Sequence, residues 1–265
     1  MNFFLRIGNR LKWIANVCSH LTIGYGDRIR LFLGGIWLLL NDSGKSTLRL
    51  KSEIIHNGQS CIFEFRDVGD FGLLNEIFLA DNYTLPKAEQ VNVIFDIGAN
   101  IGISTMFFRM CYPKATIHSF EPDPNNLSRL HSVANELGNV HVHEFALWHE
   151  ETQLTFFADP HRGSSSSTQK IRDRQEKIEV NSTTLDTILN KYGSNGVDIL
   201  KIDIEGAEEK VLSAWKSKIP VKFMIGEIHG DLCDQDVVFE ILESRFSNFS
   251  KIPFNDGNRF YFTAE

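Results

Sequence analysis

Two short segments of the 265-residue chain carry charged side chains where a buried strand has no ordinary use for them. In Lys201-Ile202-Asp203-Ile204-Glu205, strand alternation sends Lys201, Asp203 and Glu205 to one face and the two isoleucines to the other. Glu227-Ile228-His229 repeats the pattern. Ligands of open α/β sheets bind at the carboxyl ends of the strands, which supplies a reason for these charges. The set suits acid–base chemistry, the taking up or giving of a proton. His229 is the natural general base, because a free imidazole titrates near neutrality. Glu227 or Asp203 orients it, and Lys201 balances the carboxylates or, if desolvated, takes the proton itself. The plainer alternatives are an ion pair between Asp203 and Lys201 and a structural role for His229. Asp203, Glu205, Glu227 and His229 also form an oxygen-rich set compatible with Mg²⁺. Their spacing does not demand an ion, and no metal is assigned.

A second constellation lies upstream, in Val93-Ile94-Phe95-Asp96-Ile97-Gly98-Ala99-Asn100-Ile101-Gly102. Here an apolar strand turns into a helix. Gly98 and Gly102 let the backbone approach a ligand, and the helix start offers free N–H groups. Glu121 follows at the end of the next strand, where an acidic residue of a doubly wound sheet binds ribose hydroxyls. A dinucleotide site wants G-x-G-x-x-G, but Asn100 and Ile103 stand at its second and third glycines. A phosphate loop around Gly44-Lys45-Ser46 fails because its first glycine is Leu39. An S-adenosylmethionine site is the third reading. Asp96, two positions before Gly98, suits a ligand with a charged amino-acid end and no phosphate.

With Phe120-Glu121-Pro122-Asp123-Pro124 and Leu200 to Glu208 added, the sequence resembles the FkbM family of class I S-adenosylmethionine-dependent methyltransferases. The resemblance covers about residues 91–246, and Phe65 to Tyr83 resembles the lead-in such proteins carry. It implies a seven-stranded sheet with its last strand antiparallel, and O-methylation of a sugar, polysaccharide or natural product. It also implies that Gly98, Ala99, Asn100 and Gly102 wrap the methionine part of the cofactor, with Asp96 supporting the loop and the ammonium. Glu121 would bind the ribose, Pro122 and Asp123 would lie near the adenosine, and Ala146 and Leu147 would face the adenine. The cofactor supplies the activated methyl group, so the protein mainly positions the acceptor and excludes water.

These residues need a scaffold, and the hydrophobic pattern supplies one. From residue 91 strands and helices alternate. Strands are expected at 91–97, 116–120, 140–145, 154–158, 177–181, 199–204 and 223–228. Helices are expected at 101–110, 125–137, 184–191, 207–215 and 236–246. The helix at 184 carries Thr183 and Asp186 in capping-box positions. Two closing strands, 249–254 and 259–263, flank Asn255-Asp256-Gly257-Asn258, a hairpin signal. The fold class is α/β: a doubly wound, mostly parallel seven-stranded, Rossmann-like sheet. Residues 1–90 read as a separate helical and β cap, and 91–265 as the methyltransferase domain. Within the cap, Leu5, Leu11, Ile14, Val17 and Leu21 fall at helical spacing. Residues 48–51 and 61–65 alternate as strands joined through His56-Asn57-Gly58. The apolar run Leu31 to Leu40 reads as a buried core segment, too short to span a bilayer. A polar loop at 159–175 contains the run Ser164 to Ser167.

Composition narrows the partners. Lys and Arg total 27 against 34 Asp and Glu, so the chain carries a net charge of −7, which argues against nucleic acid. The four cysteines form no CxxC pair and no disulfide framework. With no signal peptide pattern, a reducing, cytoplasmic setting is expected. The acceptor is a small molecule or glycan, and self-association stays open. An NAD-linked oxidoreductase and a non-catalytic nucleoside-binding module are the competing readings.

Overall fold

The computed structural model describes residues 3–41, 47–80, 83, 85–86, 90–158, 168–169, 175–254 and 257–265. The serine run, Gly44-Lys45-Ser46 and the hairpin tip Asn255-Asp256 lie outside the described residues. The chain divides into two compact units, Met1–Tyr83 with Met106–Pro113, and Thr84–Thr105 with Lys114–Glu265.

The first unit opens with helices α1 (Phe3–His20) and α2 (Tyr25–Leu40). Strands β1 (Leu50–His56) and β2 (Gln59–Phe65) pair antiparallel, and α3 (Val68–Leu79) follows. The hairpin turns where the sequence places it. Asn57 and Gly58 take φ values of 51° and 74°, the pair of positive angles that a two-residue turn of this twist needs. Ile14, Val17 and Leu21 of the α1 stripe are buried, whereas Leu11 is not. The run Leu31 to Leu40 departs from expectation: Leu31, Gly35 and Leu38 are buried, but Leu33 and Leu40 are exposed. A helix has two sides, and an apolar run does not say that both are covered.

Helix α3 starts in a capping box. The Asp67 carboxylate accepts from the Gly69 N–H at 2.5 Å, and Asp70 reaches back to the Asp67 N–H at 3.4 Å. Asp67→Ala is expected to destabilise the chain by about 1 kcal/mol, the usual worth of an N-cap. Urea denaturation followed by circular dichroism reads it, and an unchanged midpoint would show that Asp70 alone suffices.

The second unit begins with β3 (Val93–Ile97) and the start of α4 (Ile103–Cys111), whose residues from Met106 count with the first unit, followed by β4 (Thr116–Phe120), α5 (Pro124–Leu137) and β5 (Val140–His143). Next come β6 (Ala146–Leu147), β7 (Gln153–Ala158), β8 (Glu176–Thr183) and α6 (Leu185–Tyr192). It ends with β9 (Val197–Ile202), α7 (Glu208–Ser213), β10 (Val221–His229), α8 (Gln235–Arg245), β11 (Phe249–Pro253) and β12 (Arg259–Ala264). Seven strands form one sheet in the order β11-β12-β10-β9-β3-β4-β5. The five from β10 to β5 run parallel, and β12 is antiparallel to both neighbours. The predicted strands at 154–158 and 177–181 do not join this sheet. As β7 and β8 they form a second, three-stranded sheet with β6.

The central strands are apolar because both their faces are covered. Phe95, Ile97, Leu200, Ile202, Met224 and Ile228 all belong to one buried cluster, each side chain contributing roughly 1.5–3 kcal/mol. The cap of α6 lies one residue later than expected. Thr184 accepts from the Thr187 N–H at 3.1 Å. Asp186 accepts instead from the Lys216 and Ser217 N–H groups.

Candidate active site

The strand order, not the strand direction, reverses between the parallel neighbours β3 and β9, a switch point that leaves a crevice at the carboxyl ends of these strands. A cleft lies there, with about 620 Å³ of space when its opening to solvent is counted. Gly98, Asn100, Glu121, Pro122, Ala146, Leu147 and Asp203, all singled out from the sequence, line it. Phe120, Asn126, Phe145, Phe156 and Glu205 line it too. Among the described residues, no lysine or arginine does.

The loop after β3 is shaped by its neighbours. The N–H groups of Gly98 and Ala99 both donate to the Phe120 carbonyl at 3.0 Å. Gly98 has φ 77°, and a Cβ there would overlap the backbone carbonyl oxygen of Asp203. The glycine is therefore required by packing of the loop against the end of β9, not by ligand volume. Asn100 also takes a left-handed conformation, φ 52°, which asparagine tolerates better than most residues. Its N–H donates to Glu121 Oε2 at 2.8 Å. Its side-chain Oδ1 is buried with no hydrogen-bond partner, an unmet acceptor on a cleft residue. Ala99 packs with Leu127 and Leu130 instead, and a Cβ on Gly102 would press on Val133.

Asp96 and Lys201 do not line the cleft; they hold its floor. Asp96 is fully buried and accepts from the hydroxyls of Ser104 and Thr105 at the start of α4. Lys201 Nζ donates to the Gly98 carbonyl at 2.6 Å and lies 3.5 Å from Asp96 and 3.8 Å from Asp203. Burial alone would lower its pKa, but the charges of Asp96, Asp203 and Glu227 hold it raised. A lysine so held stays an ammonium. It ties the loop to β9 rather than taking a proton, and Asp96 is committed to α4 and this lysine rather than to a ligand's ammonium.

Glu121 is nearly enclosed. Oε1 accepts from the Asp123 N–H at 2.9 Å and from Asn126 Nδ2 at 3.3 Å, while Oε2 has the Asn100 N–H and capacity for a further donor. Burial pushes its carboxyl up to about 7 against the pull of these donors. Asp123 is fully buried and N-caps α5 through the Asn125 N–H at 2.8 Å, so it braces the wall and does not line the cleft.

The acid–base cluster differs most from its sequence reading. His229 is 2% exposed and absent from the cleft lining. Its Nδ1 lies 3.0 Å from the fully buried Glu208, and Nε2 lies 3.5 Å from Glu205 and 3.7 Å from Glu227. Burial would lower its pKa, but the hydrogen bond and charge of Glu208, with Asp203 and Glu205, push it up to about 10. At neutral pH the ring is an imidazolium with no lone pair for a substrate proton. Glu205 does line the cleft. Desolvation, with the charges of Asp203 and Glu208, pushes its carboxyl up to about 7 despite His229. Its backbone is left-handed, φ 52°, a conformation a glutamate holds only when its surroundings impose it. One atom each of Asp203, Glu205 and His229 lie within 4.8 Å of one another, close enough to share a cation. The imidazolium already supplies a positive charge there. Glu208, three residues beyond Glu205 at the start of α7, had no role in the sequence reading, although its spacing was the available signal.

The model of the methyltransferase FkbM domain matches residues 96–252, more than half of the chain. The chain belongs to the FkbM methyltransferase family. Three relatives that the chain matches are distant in sequence. Methyltransferase 1 of Beauveria bassiana is 27% identical over 195 residues, covering 64% of this chain and 72% of that protein. The hexuronic acid methyltransferase AglP of Haloferax volcanii is 26% identical over 165 residues, covering 62% and 66%. The 31-O-demethyl-FK506 methyltransferase FkbM of Streptomyces tacrolimicus is 25% identical over 176 residues, covering 52% and 65%. The match thus spans just under two thirds of the last two relatives.

Proposed function

We propose that this FkbM-family chain transfers a methyl group from S-adenosylmethionine to a hydroxyl oxygen of a small, polar, sugar-like acceptor. The observation that carries this reading is the unmet Asn100 Oδ1 beside Glu121 in a cleft lined by acids and aromatic rings. That combination fits a cationic amino-acid nucleoside. Asn100 Oδ1 is an acceptor for an ammonium donor, Glu121 Oε2 for a ribose hydroxyl, and Phe120, Phe145 and Leu147 offer apolar surface to a base. The bound cofactor supplies a methyl group already activated on sulfur, so the chain has only to orient the acceptor and take its proton. We assign that proton to Glu205, whose carboxyl titrates near neutrality at the cleft, as efficient general bases do. His229 and Glu208 position it. The relative whose name specifies a 31-O position supports an oxygen acceptor, and the one named for a hexuronic acid supports a sugar-like acceptor.

Calorimetry with S-adenosylhomocysteine tests the cofactor half. Glu121→Ala is expected to weaken binding by about 1.5–3 kcal/mol, the range for a hydrogen bond to a charged group. The ribose needs the carboxylate, and the empty site holds a proton up to about pH 7. Wild-type affinity should therefore rise from pH 6 to pH 8, and a Glu121→Gln variant should lose that slope. A flat wild-type profile with unchanged affinity in the alanine variant would place the ribose elsewhere. Tight NAD binding without S-adenosylhomocysteine binding would favour an oxidoreductase.

A further inference from the structure

Helix α2 is apolar on both sides, and its inner side cannot be exchanged for its outer one. Leu31, Gly35 and Leu38 face inward. A Cβ on Gly35 would meet Ile14 Cγ2 at 2.8 Å, and one on Gly34 would collide with the Leu50 side chain. This close fit fixes the helix about its axis and leaves a second stripe outside. Tyr25, Ile29, Phe32, Leu33, Trp37 and Leu40 follow one another at intervals of four, three, one, four and three, and all are exposed, Leu33 at 62% and Leu40 at 79%. At 3.6 residues per turn they fill an arc of about 140°. A surface helix ordinarily presents charged residues there.

Charge identifies what covers the stripe. Arg28 and Arg30, both exposed, fall at the two edges of the arc. Residues 3–41 contain five basic side chains, Arg6, Arg10, Lys12, Arg28 and Arg30, and one acidic side chain, Asp27, in a chain of 27 basic and 34 acidic residues. A second copy docked here would bring two basic segments together, whereas an anionic surface complements them. At 16 residues α2 is about 24 Å long, and among the described residues no helix is long and apolar enough to cross a membrane. We propose that α2 lies in the headgroup layer of an anionic lipid bilayer, with its outer stripe against the acyl chains. Exposed Trp, Phe and Leu beside arginines are the marks of an interfacial helix, and Trp and Tyr rings sit at headgroup depth.

Sedimentation of the full chain with lipid vesicles tests this without cofactor or acceptor, so its outcome is independent of the proposed activity. The chain is expected to bind mixed phosphatidylcholine–phosphatidylglycerol vesicles roughly tenfold or more better than pure phosphatidylcholine, with high salt removing the difference. The double variant Leu33→Glu with Leu40→Glu should lose at least about tenfold in binding while keeping the wild-type melting temperature, because both side chains point into solvent. Arg28→Gln with Arg30→Gln should remove the preference for anionic lipid. Equal binding by the glutamate variant, or no binding to mixed vesicles, overturns the proposal. A dimer seen by light scattering and abolished by the glutamate variant, with no vesicle binding, assigns the stripe to a second copy and overturns it as well.

Discussion

Glu205→Gln is expected to lower turnover by roughly 10²–10⁴-fold, the usual worth of a general base. Affinity for S-adenosylhomocysteine should stay within about twofold, because the change removes a transition-state interaction rather than a ground-state one. The glutamine keeps the shape of the side chain and loses the basic oxygen. The pH profile separates this role from a structural one. Glu205 takes a proton only when ionised, and its carboxyl is pushed up to about 7. The wild-type rate should climb with pH through that region and level off above it. In the variant the residual rate should no longer follow that titration. If the slope survives in Glu205→Gln and disappears in His229→Ala, the imidazole is the base after all. Full turnover by Glu205→Gln with a competent acceptor would remove Glu205 from the chemistry.

Gly98→Ala is expected to cost roughly 3–5 kcal/mol of unfolding free energy. About 1–2 kcal/mol comes from a left-handed alanine and the rest from overpacking. The overlap is with a backbone oxygen, that of Asp203, which cannot rotate aside as a side chain can. Relief requires the loop to leave β9, and that strains the Lys201 bond to the Gly98 carbonyl. Urea titration gives the answer. A variant that melts like the wild type but fails to bind S-adenosylhomocysteine would mean that ligand, not Asp203, occupies the space beside Gly98.

Local pattern carried much of the architecture. Residues 91–97 read as a buried strand because parallel strands covered on both faces are nearly all apolar, and β3 (Val93–Ile97) lies within them. Asn57-Gly58 read as a hairpin turn because few pairs accept two positive φ angles. Pairing partners are another matter. Nothing in the alternation of residues 153–158 distinguishes an edge of the main sheet from a separate one. Thr183 and Thr184 are chemically equivalent as caps, and the choice between them depended on Asp186 reaching N–H groups thirty residues away. The site divides in the same way. The lining residues Asn100, Glu121, Ala146 and Leu147 were legible because a strand end and the turn after it determine their position. The state of His229 was not, because Glu208 sets it across 21 residues of chain. Glu205 was visible as a rim acid, but the enclosure that brings its carboxyl near neutrality comes from several elements at once.

The absence of lysine and arginine from the described cleft lining bears on how a catalytic cycle would end. With a sulfonium donor, transfer of the methyl group leaves the spent nucleoside one positive charge poorer. Glu121, Asp203 and Glu205 line the cleft and, with the proposed donor bound there, would face it before and after that change. Their field would therefore attract such a donor more strongly than the by-product, and the difference would be greatest where water is excluded. The acids that help recruit the loaded cofactor would lose part of their hold on it once it is used, so that exchange of spent for fresh donor is biased in the forward direction by charge alone.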